Sequence, residues 1–122
     1  MDVTYELRPH YVIARAAGAW DVAASRVALQ EILRLCKENS LTRVMVDGTR
    51  IDTLIPISDR YDMASMLAEV AGGRTRMALL MSTENMFSKT FENTAANRGI
   101  HVRTTDSLQE ALAFLQLPAA SQ

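Results

Sequence analysis

A chain of 122 residues with 48% apolar side chains is the right size for one domain with its own core, needing neither disulfides nor a structural metal. Thirteen basic and fourteen acidic residues give a net charge of −1, which supplies no broad attraction to nucleic acid or to an anionic membrane. The one cysteine, Cys36, excludes an intrachain disulfide and points to a reducing compartment. The opening Met1-Asp2-Val3-Thr4-Tyr5-Glu6 lacks the basic start and apolar stretch of a secretory signal. The longest apolar runs, such as residues 77–81, fall far short of the ~20 residues that a membrane helix needs. A cytoplasmic protein with no integral membrane segment is expected.

Residues 3–7 and 11–17 read as two strands joined at Arg8-Pro9-His10, where proline suits a tight turn. The period then changes. From Asp21 to about Glu38, Val22, Leu29, Ile32, Leu33 and Cys36 form a helical stripe, opposite Arg26, Gln30, Arg34 and Lys37. Asp21 is the expected N-cap. Val44-Met45-Val46 reads as a short buried strand that ends at Asp47-Gly48, followed by a loop over residues 49–57. A second helix is expected from Ser58 or Asp59, with Met63, Met66, Leu67, Val70 and Ala71 on its apolar stripe and Gly72-Gly73 at its end. Residues 77–81 form another buried strand. Ser82 then caps a third helix carrying Phe87, Phe91 and Ala95, closed by Gly99. Ile100 and Val102 share one side of a last strand. Ser107 with Glu110 fits a capping box for a final helix with Leu108, Ala111, Leu112 and Leu115, stopped by Pro118.

The order is ββαβαβαβα. Alternating strands and helices imply crossovers, hence a single-layer, mixed, mostly parallel five-stranded sheet with helices packed on it, the opening hairpin adding its antiparallel strand. One domain over residues 3–117 is expected, with a loose tail at 118–122.

Catalytic and metal-binding patterns are missing from this order. His10, His101 and Cys36 have no local ligand spacing, so no metal is expected. Cys36, on an apolar helical stripe, reads as a core thiol rather than a reactive one. No nucleophile elbow or phosphate-cradling glycine pattern is present, and the few aromatic residues are not interleaved with basic ones. The expectation is a binding domain, with no enzyme activity, no cofactor and no nucleic-acid partner.

Four loops should gather at the carboxyl ends of the strands, where open α/β sheets bind ligands. They are Gly18-Ala19-Trp20-Asp21, Asp47-Gly48-Thr49-Arg50, Ser82-Thr83-Glu84 and Thr104-Thr105-Asp106. Their own acids, Asp21, Asp47, Glu84 and Asp106, complement the helix N-termini and leave little room for a free phosphate. Trp20, the sole tryptophan, either folds under the first helix or stands open as an interface anchor. The segment Ile51-Asp52-Thr53-Leu54-Ile55-Pro56-Ile57 is unusually apolar for a loop. Its side chains need a cover: the domain's core, a ligand, or a second subunit.

The element order, together with residues 91–103 (Phe-Glu-Asn-Thr-Ala-Ala-Asn-Arg-Gly-Ile-His-Val-Arg), resembles the SpoIIAA-like branch of the STAS superfamily over nearly the whole chain. Arg98-Gly99, Asp106, Ala111 and Phe114 match the branch's arginine-glycine, following acid, helix and aromatic. The resemblance implies a non-catalytic regulatory switch with protein partners. In the anti-sigma-factor antagonists of that family the phosphorylated hydroxyl lies in an Asp-Ser-Ser-Gly type motif. Ile57-Ser58-Asp59-Arg60 stands in its place here, with Ser58 as the matching hydroxyl and the second serine and glycine absent. The fold is also similar to that of lipid-carrying CRAL-TRIO-type domains.

Two functions follow as expectations. The first is a regulatory or protein-interaction module, a homodimer built through the 49–57 loop. The second is a small apolar-ligand or lipid-binding domain with that loop as its lid. Both draw on Trp20, Arg50, Ile51, Leu54, Ile55, Ile57, Met63 and Leu67, and Ser58 is the candidate phosphoacceptor.

Overall fold

The structure is a computed structural model and describes residues 1–70, 74–86, 92–93, 96, 99 and 101–117. Two strands, β1 (Asp2–Leu7) and β2 (Val12–Gly18), form the expected antiparallel hairpin. They are followed by α1 (Val22–Glu38), β3 (Arg43–Ile51), α2 (Ile57–Val70), β4 (Arg76–Leu80), a 3₁₀ turn at Thr83–Asn85, β5 (His101–Thr105) and α3 (Leu108–Leu115). The sheet runs β1-β2-β3-β4-β5, with β2 to β5 parallel. This is the mixed, mostly parallel five-stranded sheet anticipated from the sequence. Its strand order never reverses, so the crevice that forms at such a reversal in other α/β sheets is not available.

Register sorts the core into two layers. Val12, Val44, Met77 and Val102 lie side by side across the sheet, and Ala14, Val46 and Leu79 form the next row on the same face. Both rows pack with Leu29, Ile32 and Cys36 of α1 and Ala64 and Leu67 of α2. The alternate positions, Ile13, Met45, Ala78 and Leu80, face the other way and pack with Ala111, Leu115 and Leu117 of α3 and its trailing turn. Covered on both faces, β4 is buried at four consecutive residues, as an interior parallel strand should be.

Local chemistry fixes the ends. Asp21 accepts from the N–H groups of Ala23 (2.9 Å) and Ala24 (3.2 Å) and caps α1. Ser107 accepts from the Glu110 N–H (3.2 Å), making half of the capping box. The other half goes through Thr105. Its hydroxyl donates to Glu110 Oε2 (2.7 Å) and accepts the Ser107 N–H (3.1 Å). At the far end of α3, Arg43 and Arg76 donate to the carbonyls of Leu115 and Phe114, and Arg76 lies 4.4 Å over the Phe114 ring. These cations satisfy helix-end carbonyls and complement the dipole.

Two expectations need correction. β3 continues through Thr49, Arg50 and Ile51 instead of stopping at Asp47-Gly48, so the loop begins only at Asp52. Gly48 reads as a turn signal but has no positive φ; a Cβ there would meet the Met81 sulfur at 2.6 Å, so glycine admits Met81 against the strand. Ser82 precedes only a 3₁₀ turn and makes no side-chain cap bond. Of the expected third helix, Glu92, Asn93 and Ala96 are helical, while Phe87, Phe91 and Ala95 lie outside the described residues. Gly72-Gly73, Ala71, Arg98, Ile100, Pro118 and the tail also lie outside them.

Candidate functional site

The segment that leaves β3 is irregular in backbone but closely tied. The Asp52 N–H donates to the carbonyl of Gly18, whose φ of 95° only glycine adopts readily. Asn85, 2% exposed, donates through Nδ2 to the Thr53 carbonyl (2.9 Å) and accepts the Ile55 N–H (2.9 Å) on Oδ1. Its amide thus pairs the loop as a neighbouring strand would. Arg60 of α2 donates from Nε to the Ile55 carbonyl (3.1 Å) and from Nη1 to the Met86 carbonyl (3.1 Å). On the other flank the Trp20 N–H donates to Thr53 Oγ1 (2.8 Å), and its indole N–H donates to Asp59 Oδ2 (2.8 Å). Trp20 is therefore a half-buried tie between two loops and not an open anchor.

Held this way, the segment sends its apolar side chains in two directions. Ile51 (7% exposed) and Ile55 (2%) turn inward and join the core with Leu67. Leu54 and Ile57, each 69% exposed, turn outward, and Tyr61 follows Ile57 by one helical turn at 44% exposure. Arg50, Pro56 and Ser58 are exposed around this outward row. Ser58 is the second residue of α2, and its neighbour Asp59 is taken by the Trp20 indole.

Beneath the inward row lies a cavity of about 90 Å³ between the sheet and the two helices α1 and α2. Its floor is Ala14, Val46 and Leu79, its helix walls include Ala28, Leu29 and Met63, and Trp20, Ile51, Ile55 and Met81 close the end near the loop. No polar atom contributes to its surface. Of the eight candidate residues, Trp20, Ile51, Ile55, Met63 and Leu67 converge on the cavity, whereas Arg50, Leu54 and Ile57 do not.

Three of the four acids expected at this end of the sheet are engaged. Asp21 caps α1, Asp47 accepts from the N–H (3.0 Å) and hydroxyl (2.6 Å) of Thr49, and Asp106 accepts from the Thr83 hydroxyl at 3.4 Å. His10 and His101 are exposed and far apart in the sheet. Cys36 is buried, and burial pushes its thiol from 9.0 up to about 11. The folded thiol stays protonated where the unfolded one ionises. Its contribution to stability is therefore complete below pH 9.0 and is lost as pH rises toward about 11. Ellman's reagent at pH 8 should accordingly modify Cys36 only slowly in native protein and promptly in urea. Prompt labelling of the native thiol would contradict a core role.

Sequence reasoning passed over Asn85, Asp59, Arg60 and Thr53, which hold the loop. Nothing in their spacing marks them. Asn85 sits in a polar stretch after a strand, where asparagine is ordinary turn chemistry, and only the returning loop makes it a buried partner.

No protein-family model matches the sequence, and no curated protein matches it either. Among solved structures, the chain is similar to the anti-sigma factor antagonist SpoIIAA in its unphosphorylated form. The similarity has a TM-score of 0.49 and 17% sequence identity, over 94% of this chain and 96% of that one. No helix among the described residues is long and apolar enough to cross a membrane.

Proposed function

We propose that this chain is a non-catalytic, regulatory protein-interaction module whose docking face is the outward row Leu54, Pro56, Ile57 and Tyr61, and whose first partner is a second copy of itself. The observation that carries this is the 69% exposure of both Leu54 and Ile57 on a segment fixed by Asn85, Arg60 and the Trp20 backbone. An apolar face held rigid before binding loses little conformational freedom on contact, which favours association. Arg50 and Asp52, exposed and opposite in charge, border it, and a net charge of −1 sets little repulsion between copies. A two-fold contact needs such a self-compatible face.

Two titratable groups beside the face are committed to structure, Asp59 to the indole and Arg60 to two carbonyls, which supports a binding role over a catalytic one. Ser58, exposed and adjacent to Ile57, is the hydroxyl through which phosphorylation would alter docking. A phosphate there would add charge beside the apolar row at a helix N-terminus. The single unpaired cysteine supports a reducing, cytoplasmic setting.

Sedimentation velocity at micromolar concentrations tests the homodimer. Wild type should sediment as a dimer, and the double variant Leu54→Asp/Ile57→Asp as a monomer with the far-UV circular dichroism of wild type. A wild type that is monomeric throughout would end the homodimer reading.

A further inference from the structure

We propose that the cavity beneath α1 and α2 is a binding site for a small, uncharged, apolar molecule about the size of one aromatic ring or a short alkyl chain. The site differs from the docking face: it lies on the inner side of the same segment and uses none of the outward row. Its volume arises from a specific placement of small residues. Ala14 and Ala16 on β2 and Ser25 and Ala28 on α1 line it, while larger residues such as Leu29, Ile32 and Leu67 lie around it. Shortened side chains contributed from both the sheet and the helix leave a hollow between them.

The chemistry of the wall selects the occupant. At about 90 Å³ the space exceeds what one water needs several times over, and interiors close-packed elsewhere hold few such voids. Water inside would need two to four polar partners, and the wall offers none. The one hydroxyl among the lining residues, Ser25 Oγ, already donates to the Asp21 carbonyl at 2.9 Å. No lining residue carries a charged side chain, so a carboxylate or phosphate head group would find no counter-charge within. A dry apolar cavity of roughly 150 Å³ admits benzene or xenon. Met1, Met63 and Met81, on flexible unbranched stems in this wall, allow the smaller space to adjust to a ring. Met1, Val3, Ala16, Trp20 and Met63 are only half-buried and mark the side open to entry.

Trp20 is the sole tryptophan and part of the wall, so it reports on occupancy directly. Iodobenzene, whose heavy atom quenches indole fluorescence on contact, is the probe. Titration into the full chain should give saturable quenching, and benzene should raise the thermal midpoint. Ala28→Leu fills the space from the helix side; it should keep the far-UV circular dichroism of wild type and weaken the saturable component by about tenfold or more. If that variant does not fold, Ala16→Val fills the space from the sheet side and is read in the same way. The Leu54→Asp/Ile57→Asp variant should quench as wild type does, separating this site from the docking face. Linear, unsaturable quenching of wild type, or equal saturable quenching in a folded cavity-filled variant, would overturn the proposal.

Discussion

Asn85→Ala should lower the free energy of unfolding by about 2 kcal/mol, because it leaves a buried N–H and a part-buried carbonyl without partners. The groups stranded are the Ile55 N–H and the Thr53 carbonyl, each 2.9 Å from the Asn85 amide. The side chain is 2% exposed, so solvent does not readily replace it. Urea denaturation followed by Trp20 fluorescence measures the effect at the loop itself, since Thr53 also accepts from the Trp20 N–H. Asn85→Asp separates the two bonds. An ionised carboxylate can still accept from Ile55, but it repels the Thr53 carbonyl and carries a buried charge. Burial raises the pKa of such a carboxyl, so its neutral form is favoured in the folded state. The variant should therefore approach wild-type stability near pH ~4 and fall behind it toward pH ~7. A change below about 0.5 kcal/mol in Asn85→Ala, the range of ordinary surface substitutions, would show that the amide does not hold the loop.

The second large effect contrasts two adjacent leucine-sized residues. Ile55→Asp should cost about 4 kcal/mol or more, combining a lost core side chain with an unpaired buried charge. Leu54→Asp, compared at protein concentrations low enough to keep both proteins monomeric, should change stability by no more than about 0.5 kcal/mol. The difference follows from exposures of 2% and 69% at neighbouring positions, a contrast that Asn85 and Arg60 help to fix on a segment without regular structure. Thermal and chemical denaturation of the two variants side by side decide it. Similar losses in both would mean that the segment has no inner and outer side.

Much of the frame could be read from residue order. Runs of apolar residues at 44–46 and 77–81 identified interior strands because a parallel strand is covered on both faces. Asp21 and Ser107 marked helix starts because a short oxygen-bearing side chain reaches the free N–H groups of the first turn. The end of β3 was misjudged because Gly48 serves close approach there and not a turn. The apolar segment 51–57 was recognised as needing a cover, but its two-sided character depends on Asn85, which is 30 residues from Ile55 in the chain. The cavity was not legible at all. Ala14, Ala16 and Ala28 are unremarkable in strands and helices, and the hollow appears only when register and helix packing bring them together.

The central claim is that the outward row is where copies of this chain meet. An amide-resolved nuclear magnetic resonance dilution series, from millimolar to micromolar protein, tests it at residue level. Concentration-dependent shifts should centre on Leu54, Ile57, Ser58 and Tyr61, with β1 and α3 unaffected. Shifts centred on the β1 edge strand, or none at any concentration, would contradict it.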